Sequence, residues 1–225
     1  MARSFGEPLT KLRAVPIIDN GEPLVDPRTL SSRVAFAEKH PYFTEMKCTP
    51  HVRKSVAEMI ARAADSLPEG LTLTIIEGYR PLAQQRWMYE QIKNEFATKH
   101  PEWSKATLHR VTNTMSAPPE DRCPPPHTTG GAFDLGLVDT KTNTPLDMIS
   151  PFPMDSTSAP TERKGLSDEA RRNRDLLVKT LTAAGLTNYA GEWWHWSYGD
   201  SGWALRVGAP HAIYGALPAD TSPGE

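Results

Sequence analysis

Two segments that lie far apart in the chain contain the residue types of a metal site. The first is Pro-Pro-Pro-His127-Thr-Thr-Gly-Gly-Ala-Phe-Asp134, and the second is Gly-Glu192-Trp-Trp-His195-Trp. Two imidazoles and one carboxylate would leave the fourth position of a tetrahedral zinc open, which is typical of catalytic rather than structural zinc. We therefore predict one Zn²⁺ per chain, bound by His127, Asp134 and His195.

Two further side chains suit hydrolysis at such a metal. Zinc lowers the pKa of a bound water towards about 7, and Glu192 is the candidate to accept the proton of that water. Attack on a peptide carbonyl creates an oxyanion, which Arg80, in the turn Glu77-Gly-Tyr-Arg80-Pro, is predicted to stabilise. In a regular strand, Glu192 and His195 would lie on opposite faces, so we expect a bulge or a strand start near Gly191.

The cysteines allow a different zinc site. Cys48 and His51, together with Cys123 and His127, have spacings close to those of closed structural zinc sites. The protein would then be a binding module, and the carboxylates of the two segments would have no role. We therefore favour the catalytic site. The two cysteines are then expected to be free thiols, because a chain of 225 residues needs no disulfide to fold.

The composition limits the classes of partner. There are 25 Lys and Arg against 27 Asp and Glu, with no run of basic residues, so nucleic acid is not expected to bind. No apolar run reaches about 18 residues, and the first residues lack the apolar stretch of a signal peptide. We therefore expect a cytoplasmic protein without a membrane partner. The sequence gives no indication of the oligomeric state.

The apolar periodicity predicts the elements that must position these residues. Helical patterns with suitable ends predict helices over 49–67, 81–100 and 167–185, with a weaker one over 103–115. Residues rich in β-branched and aromatic side chains predict strands over 71–76, 132–138 and 187–198. This order indicates an α+β fold, in which a small central antiparallel sheet is flanked by helices. We expect one loop-rich domain, 1–216, and a disordered tail, 217–225.

Together the motifs resemble those of the D-alanyl-D-alanine dipeptidases, zinc enzymes of a superfamily that also contains D,D-carboxypeptidases and phage endolysins. The matching segments are Glu77-Gly-Tyr-Arg80-Pro, His127-Thr-Thr-Gly-Gly-Ala-Phe-Asp134-Leu, Asp147-Met with Pro151-Phe, and Glu192-Trp-Trp-His195-Trp-Ser-Tyr-Gly-Asp. The resemblance extends over residues 52–214. It implies that His127, Asp134 and His195 bind zinc, that Glu192 is the general base and that Arg80 stabilises the transition state. It also implies an α+β fold with a small antiparallel sheet, and a pocket that admits a dipeptide and excludes longer peptides.

The resemblance also implies substrate contacts. Asp155 and Asp147 are the candidates to hold the substrate ammonium. Many members of this family have a serine two residues before the first histidine, whereas this chain has Pro125, which cannot donate a hydrogen bond. The expected activity is that of a zinc metallopeptidase that hydrolyses D-Ala-D-Ala or a similar small D,D-dipeptide.

Two alternatives stay open at this point. One is a D,D-carboxypeptidase or endolysin that acts on the stem peptides of peptidoglycan. The missing signal peptide and wall-binding repeat weigh against it. The other is a non-enzymatic, zinc-stabilised binding domain, and the intact Glu192 and Arg80 weigh against that.

Overall fold

A computed structural model of the protein describes residues 7–37, 43 and 45–221. In this part of the chain the helices are α1 (Leu9–Leu12), α2 (Lys54–Ser66), α3 (Leu82–Lys99), α4 (Lys105–Met115), α5 (Asp168–Ala183) and α6 (Ser201–Val207). The strands are β1 (Leu24–Val25), β2 (Val34–Phe36), β3 (Val52–Arg53), β4 (Leu71–Glu77), β5 (Ala132–Asp139), β6 (Thr144–Pro145), β7 (Thr187–Asn188) and β8 (His195–Ser197). Helices are interspersed with short strands, and the predicted α+β class is confirmed.

The main sheet has the strand order β2-β4-β5-β8-β7, and β6 pairs with β5. The pairs β4–β5, β5–β6, β5–β8 and β7–β8 are antiparallel, as predicted, whereas β2 runs parallel to β4. The chain connection explains the exception. Helix α2 lies between β2 and β4 in the sequence, and a helical crossover joins parallel neighbours.

One face of the sheet forms the hydrophobic core. Alternate side chains of β4 and β5 point to this face, where α2 and α5 cover them. The buried residues include Leu73, Ile75, Phe133, Leu135 and Leu137 from the sheet, and Val56, Ile60, Leu177 and Leu181 from the helices. Burial of each such side chain contributes roughly 1.5–3 kcal/mol. This packing fixes the relative positions of the central strands. The polar residues that alternate with the core residues along these strands lie on the other face of the sheet.

The first predicted helix begins later than its sequence suggests. The helix predicted over 49–67 does not include its first five residues, because α2 starts at Lys54. The preceding backbone is extended, since the carbonyls of Thr49 and His51 accept the N–H groups of residues 78 and 79 at 2.7 Å each. These bonds hold the segment against the turn that follows β4.

The other predicted helices are confirmed, with ends shifted by a few residues. The hydroxyl of Ser167 caps α5 by accepting from the N–H of Ala170 at 3.0 Å, and Gly185, at φ +98°, follows its last turn. Helices α3 and α4 form a hairpin in which the hydroxyl of Tyr89 donates to Asn113 Oδ1 at 2.7 Å. No helix in the described ranges is both long enough and apolar enough to cross a bilayer.

The predicted division into a domain and a tail stays a prediction. Residues 222–225 of the predicted tail lie outside the described part of the chain. Where the tail was expected to begin, the N–H of Leu217 donates to the carbonyl of Thr128 at 2.9 Å. The cytoplasmic location is likewise a prediction.

Candidate metal centre

His127 is oriented by a proline-rich loop and by one carbonyl. It lies in a short 3-10 helix, Pro126–Thr129, which ends at Gly130 with φ +70°, a left-handed conformation that glycine adopts at little cost. Its Nδ1 is 2.8 Å from the carbonyl oxygen of Gly78. Because a carbonyl only accepts, Nδ1 carries the proton, and the lone pair of Nε2 is available to a metal.

Strand pairing brings Asp134 and His195 together although 60 residues separate them in the sequence. Asp134 of β5 pairs directly with His195 of β8 on one side and with Glu77 of β4 on the other. Directly paired residues place their side chains on the same face of a sheet. Glu77, Asp134 and His195 therefore form a row across three strands.

A register shift between Ile75 and Glu77 creates this row. Ile75 pairs with Leu135, but the next pair is Glu77 with Asp134, so β4 contains one extra residue. Without the shift, alternation would direct Glu77 to the core face beside Ile75. The bulge directs it instead to the face of Asp134, as bulges often do beside functional sites.

Three ligand atoms converge on one point. His195 Nδ1 lies 2.9 Å from Asp134 Oδ1 and 3.2 Å from His127 Nε2, and His127 Nε2 lies 3.4 Å from Asp134 Oδ1. Zinc bonds of about 2.0–2.2 Å in a tetrahedron separate neighbouring ligand atoms by roughly 3.3 Å. The three distances fit that spacing, and the residues that hold these atoms are buried. This cluster can therefore hold a metal ion.

The charges in the cluster stabilise each other. Burial by itself would raise the pKa of Asp134, but the charges of His127 and His195 and their hydrogen bonds hold it far below its usual range. Burial opposes a charge on His195, yet the hydrogen bond and the charge of Asp134 raise its pKa above the ordinary value. Asp134 is thus ionised at neutral pH, as a metal ligand must be.

Glu192 lies three residues before His195, in the loop between β7 and β8. Burial of its carboxyl group raises its pKa, and the nearby charges of His195 and Asp134 act on it in opposite directions. The N–H of His195 is bonded to the carbonyl of Glu192 at 3.3 Å, so the two residues are joined by a turn. The single strand predicted over 187–198, with a strand start at Gly191-Glu192, is wrong. This segment forms two antiparallel strands, β7 and β8, and β8 begins only at His195, because the loop that contains Glu192 lies between them.

Arg80 is buried in the turn after β4 and is held by two side chains. Its Nε donates to Glu77 Oε1 at 2.7 Å, and its Nη2 forms a short contact with Glu77 Oε2. Its Nη1 donates to Gln85 Oε1 at 2.6 Å. Burial opposes the charge of the guanidinium, but the charge of Glu77 outweighs this and raises the pKa of Arg80.

The Arg80 backbone is also joined to the first metal segment, because its N–H donates to the carbonyl of His127 at 3.1 Å. A guanidinium has five N–H donors. Three of them are used by Glu77 and Gln85 within the described residues, so two do not bond to these residues.

The two predicted substrate contacts lie in the loop region after β6. Asp147 accepts the N–H groups of Ile149 and Ser150 at 3.0 and 2.9 Å, so part of its carboxylate stabilises a turn. Asp155 is exposed, and its Oδ1 accepts both the N–H and the hydroxyl of Thr157. Their role towards a substrate stays a prediction.

The closed cysteine site is not formed in the described part of the chain. Cys48 and Cys123 are both free thiols, and neither belongs to a group of metal-binding side chains. Burial raises the pKa of Cys48 to about 12 and that of Cys123 to about 11, so both are protonated at neutral pH.

Three parts of the site were not assigned by sequence reasoning. Glu77 stood within a quoted motif without a role, and neither Gln85 nor the carbonyl of Gly78 was singled out. The signal for Glu77 was an acidic residue at the end of an apolar strand, three positions before an arginine. Neither the bulge nor a backbone carbonyl leaves such a signal.

Comparisons with known proteins agree with the motif reading. A family model described as D-Ala-D-Ala dipeptidase, Peptidase_M15, matches residues 35–212. The D-alanyl-D-alanine dipeptidase of Synechocystis sp. is 30% identical over 237 aligned residues, which cover 92% of this chain and 94% of that protein.

Among solved structures, a mutant of the vancomycin-resistance D,D-pentapeptidase VanY, in complex with Zn(II), is 16% identical with a TM-score of 0.41. The match covers 70% of this chain and 78% of that one. Likeness at this level has no bearing on the metal or the activity of this protein. The family model, by contrast, spans most of the chain and includes all three residues of the cluster. The chain belongs to the D-Ala-D-Ala dipeptidase family.

Proposed function

We propose that the protein is a zinc metallopeptidase that hydrolyses D-Ala-D-Ala or a similar small D,D-dipeptide. The observation that carries this proposal is the convergence of His127, Asp134 and His195, with ligand atoms 2.9–3.4 Å apart. Glu192 and Arg80 are close enough to interact electrostatically with this cluster. Family membership supports the class of substrate. The cluster supports the chemistry.

The donor set of the cluster suits zinc. Two imidazole nitrogens and one carboxylate oxygen make up a typical catalytic zinc site, and the Nδ1–H of His127 is fixed by the carbonyl of Gly78. When bound, zinc supplies a Lewis acid for the peptide carbonyl and lowers the pKa of water. We propose one Zn²⁺ per chain.

Glu192 is the proposed general base. It accepts a proton from the attacking water and delivers it to the nitrogen of the leaving D-alanine. A base is most effective when its pKa lies near the working pH, and burial raises the pKa of Glu192 in that direction. Its position before His195 keeps it next to the cluster without being needed as a ligand.

Arg80 is the proposed stabiliser of the oxyanion. The two N–H donors that Glu77 and Gln85 leave free are held on a guanidinium that has little freedom to move. Removal of one such pre-oriented donor typically costs about 10²–10³ in kcat. Asp155 and Asp147 are the proposed acceptors for the substrate ammonium.

The proposal is tested by metal analysis coupled to hydrolysis of D-Ala-D-Ala. We expect one zinc per chain, loss of turnover with a chelator, and recovery when zinc is added. Glu192→Gln should retain zinc but lose at least 10²-fold in kcat. Glu58→Gln, an exposed change on α2, is the matched control and should behave as wild type.

A substrate panel separates the proposal from its alternatives. Faster hydrolysis of a pentapeptide stem than of D-Ala-D-Ala would favour a carboxypeptidase or endolysin. No turnover of any dipeptide by fully zinc-loaded protein would favour a binding domain. Wild-type activity of Glu192→Gln would eliminate the proposed base.

A further inference from the structure

The loop between β7 and β8 decides where Glu192 points. The N–H of Tyr189 donates to the carbonyl of His195 at 3.1 Å, and the N–H of Glu192 donates to the carbonyl of Tyr189 at 3.0 Å. These bonds close a narrow loop in which Glu192 precedes the strand. Regular strand alternation would separate Glu192 from His195, so the conformation of this loop keeps the carboxyl beside the metal ligands.

The side chain of Asn188, the last residue of β7, spans this loop. Its Nδ2 donates to the carbonyl of Glu192 and to the carbonyl of His195, each at 3.0 Å. Both donors of a single amide are therefore used on the two ends of one turn. One end carries the carboxyl proposed as the base, and the other carries the third metal ligand.

A neighbouring hydroxyl fixes the orientation of the Asn188 amide. Thr161 Oγ1 donates to Asn188 Oδ1 at 2.6 Å, and the N–H of Thr161 donates to the carbonyl of Ala190 at 3.1 Å. A rotated amide would direct Oδ1 at two carbonyl oxygens and would leave its two donors without these acceptors. The amide thus has one favourable orientation, with both donors on the loop.

We propose that Asn188 is a positioning residue, whose amide holds Glu192 and His195 in the arrangement that metal binding and proton transfer require. It acts through the two carbonyls and contacts neither carboxyl nor imidazole. This inference rests on the proposed function, because it assumes that His195 binds zinc and that Glu192 is the base. Thr161 supports this role because its hydroxyl sets the orientation of the Asn188 amide.

The sharpest test is Asn188→Asp, which exchanges the NH₂ group for an oxygen at almost the same volume. The new carboxylate faces two carbonyl oxygens, so the loop must move. Loss of an outer partner of a metal ligand typically costs about 10–100-fold in metal affinity or activity. We expect the zinc dissociation constant to rise and kcat at saturating zinc to fall by about these factors, with KM changed by less than about twofold.

Two companion variants complete the test. Thr161→Val removes the hydroxyl that orients the amide and should shift both quantities in the same direction by a smaller factor. Asn113→Asp is the matched control, since Asn113 lies on α4 and uses its Oδ1 to accept from Tyr89, which an aspartate can also do. It should leave zinc affinity and kcat unchanged.

Zinc affinity is measured by competition with a chelator, and the ligand geometry by the visible absorption of the cobalt-substituted protein. A changed cobalt spectrum in Asn188→Asp supports positioning. If Asn188→Asp and Thr161→Val lower only the unfolding temperature, and affinity, spectrum and kcat stay at wild-type values, the role is merely structural and the proposal is overturned.

Should Asn188→Asp fail to fold, Thr161→Val decides by the same measurements. Failure of the proposed function has a different signature. Wild-type protein loaded with zinc would then not hydrolyse the dipeptide, while zinc affinity and the cobalt spectrum would still report on Asn188.

Discussion

The ion pair between Glu77 and Arg80 is expected to be essential to stability as well as to the site. Replacement of Glu77 by glutamine retains the shape of the side chain and removes its charge. The side chains of Glu77 and Arg80 are 1% and 8% exposed, so water cannot take the place of the lost carboxylate. The guanidinium would be left buried without its counter-charge.

The magnitude follows from the burial of the pair. Removal of one partner of a buried ion pair costs about 3–5 kcal/mol, because the other charge is left uncompensated. Glutamine retains one oxygen that can accept from Arg80 Nε, so we expect a value near the lower end, about 3 kcal/mol. In a protein of 225 residues this corresponds to a fall of about 6–12 °C in Tm. We also expect kcat to fall, since Arg80 loses its orientation.

Thermal unfolding of chelator-treated protein, followed by circular dichroism, measures the effect on the fold apart from zinc. Glu120→Gln is the matched control, because Glu120 binds Arg86 in a similar two-bond arrangement, at 2.6 and 3.3 Å. That pair is exposed, with 52% and 72% of its side chains accessible, so solvent screens it and Tm should hardly change. Equal shifts in the two variants would refute the reasoning that burial sets the cost.

The remaining predictions concern zinc, one glycine and one helix cap. Burial opposes a charge on His195, but the bond to Asp134 and its charge raise the pKa of His195, so protons compete with zinc and the zinc affinity should fall as pH drops through this raised pKa. In metal-stripped protein, the raised pKa of His195 means that its protonated form stabilises the fold fully below about pH 6.5, and that this contribution is lost as pH rises through the pKa of the folded state. Chelator competition at each pH measures the zinc affinity, and Tm at each pH measures the stability. A zinc affinity that did not change with pH would contradict the predicted competition with protons. Gly78→Ala should lower both Tm and zinc affinity, because the new Cβ would lie 2.4 Å from the carbonyl oxygen of His51. A zinc affinity equal to that of the wild type would count against the role of this turn. Ser167→Ala should cost about 1 kcal/mol of stability, or about 2–4 °C in Tm, and leave zinc binding unchanged; a loss of zinc would show that the cap does more than stabilise α5.

The candidate metal ligands were predictable because their residue types are chemically specific. Two histidines and a carboxylate in glycine- and tryptophan-rich segments are typical of a metal site. In the structure, strand pairing brings Asp134 and His195 together. Their partners were not predictable in the same way. The carbonyl of Gly78 and the amide of Asn188 act through atoms or rotamers that the sequence does not single out.

The fold was predictable where local preferences dominate. The apolar stripes of α2 and α5, the Ser167 cap of α5 and the apolar runs of β4 and β5 are recognisable without tertiary information. The predicted start of the first helix was wrong because the carbonyls of Thr49 and His51 accept hydrogen bonds from the turn after β4, which is a contact between distant segments. The parallel pairing of β2 is likewise a property of the crossover connection and not of the strand sequence.

The sequence by itself determined which atoms were available to bind a metal, which helices and strands could form, and that an arginine would follow the first long strand. The tertiary structure decided that the ligand atoms lie 2.9–3.4 Å apart, that a bulge directs Glu77 to the face of Asp134, and that a loop sets Glu192 beside His195. The physical reason is that side-chain chemistry and local periodicity are encoded residue by residue. Register, bulges and bonds to backbone carbonyls arise only when distant segments pack together.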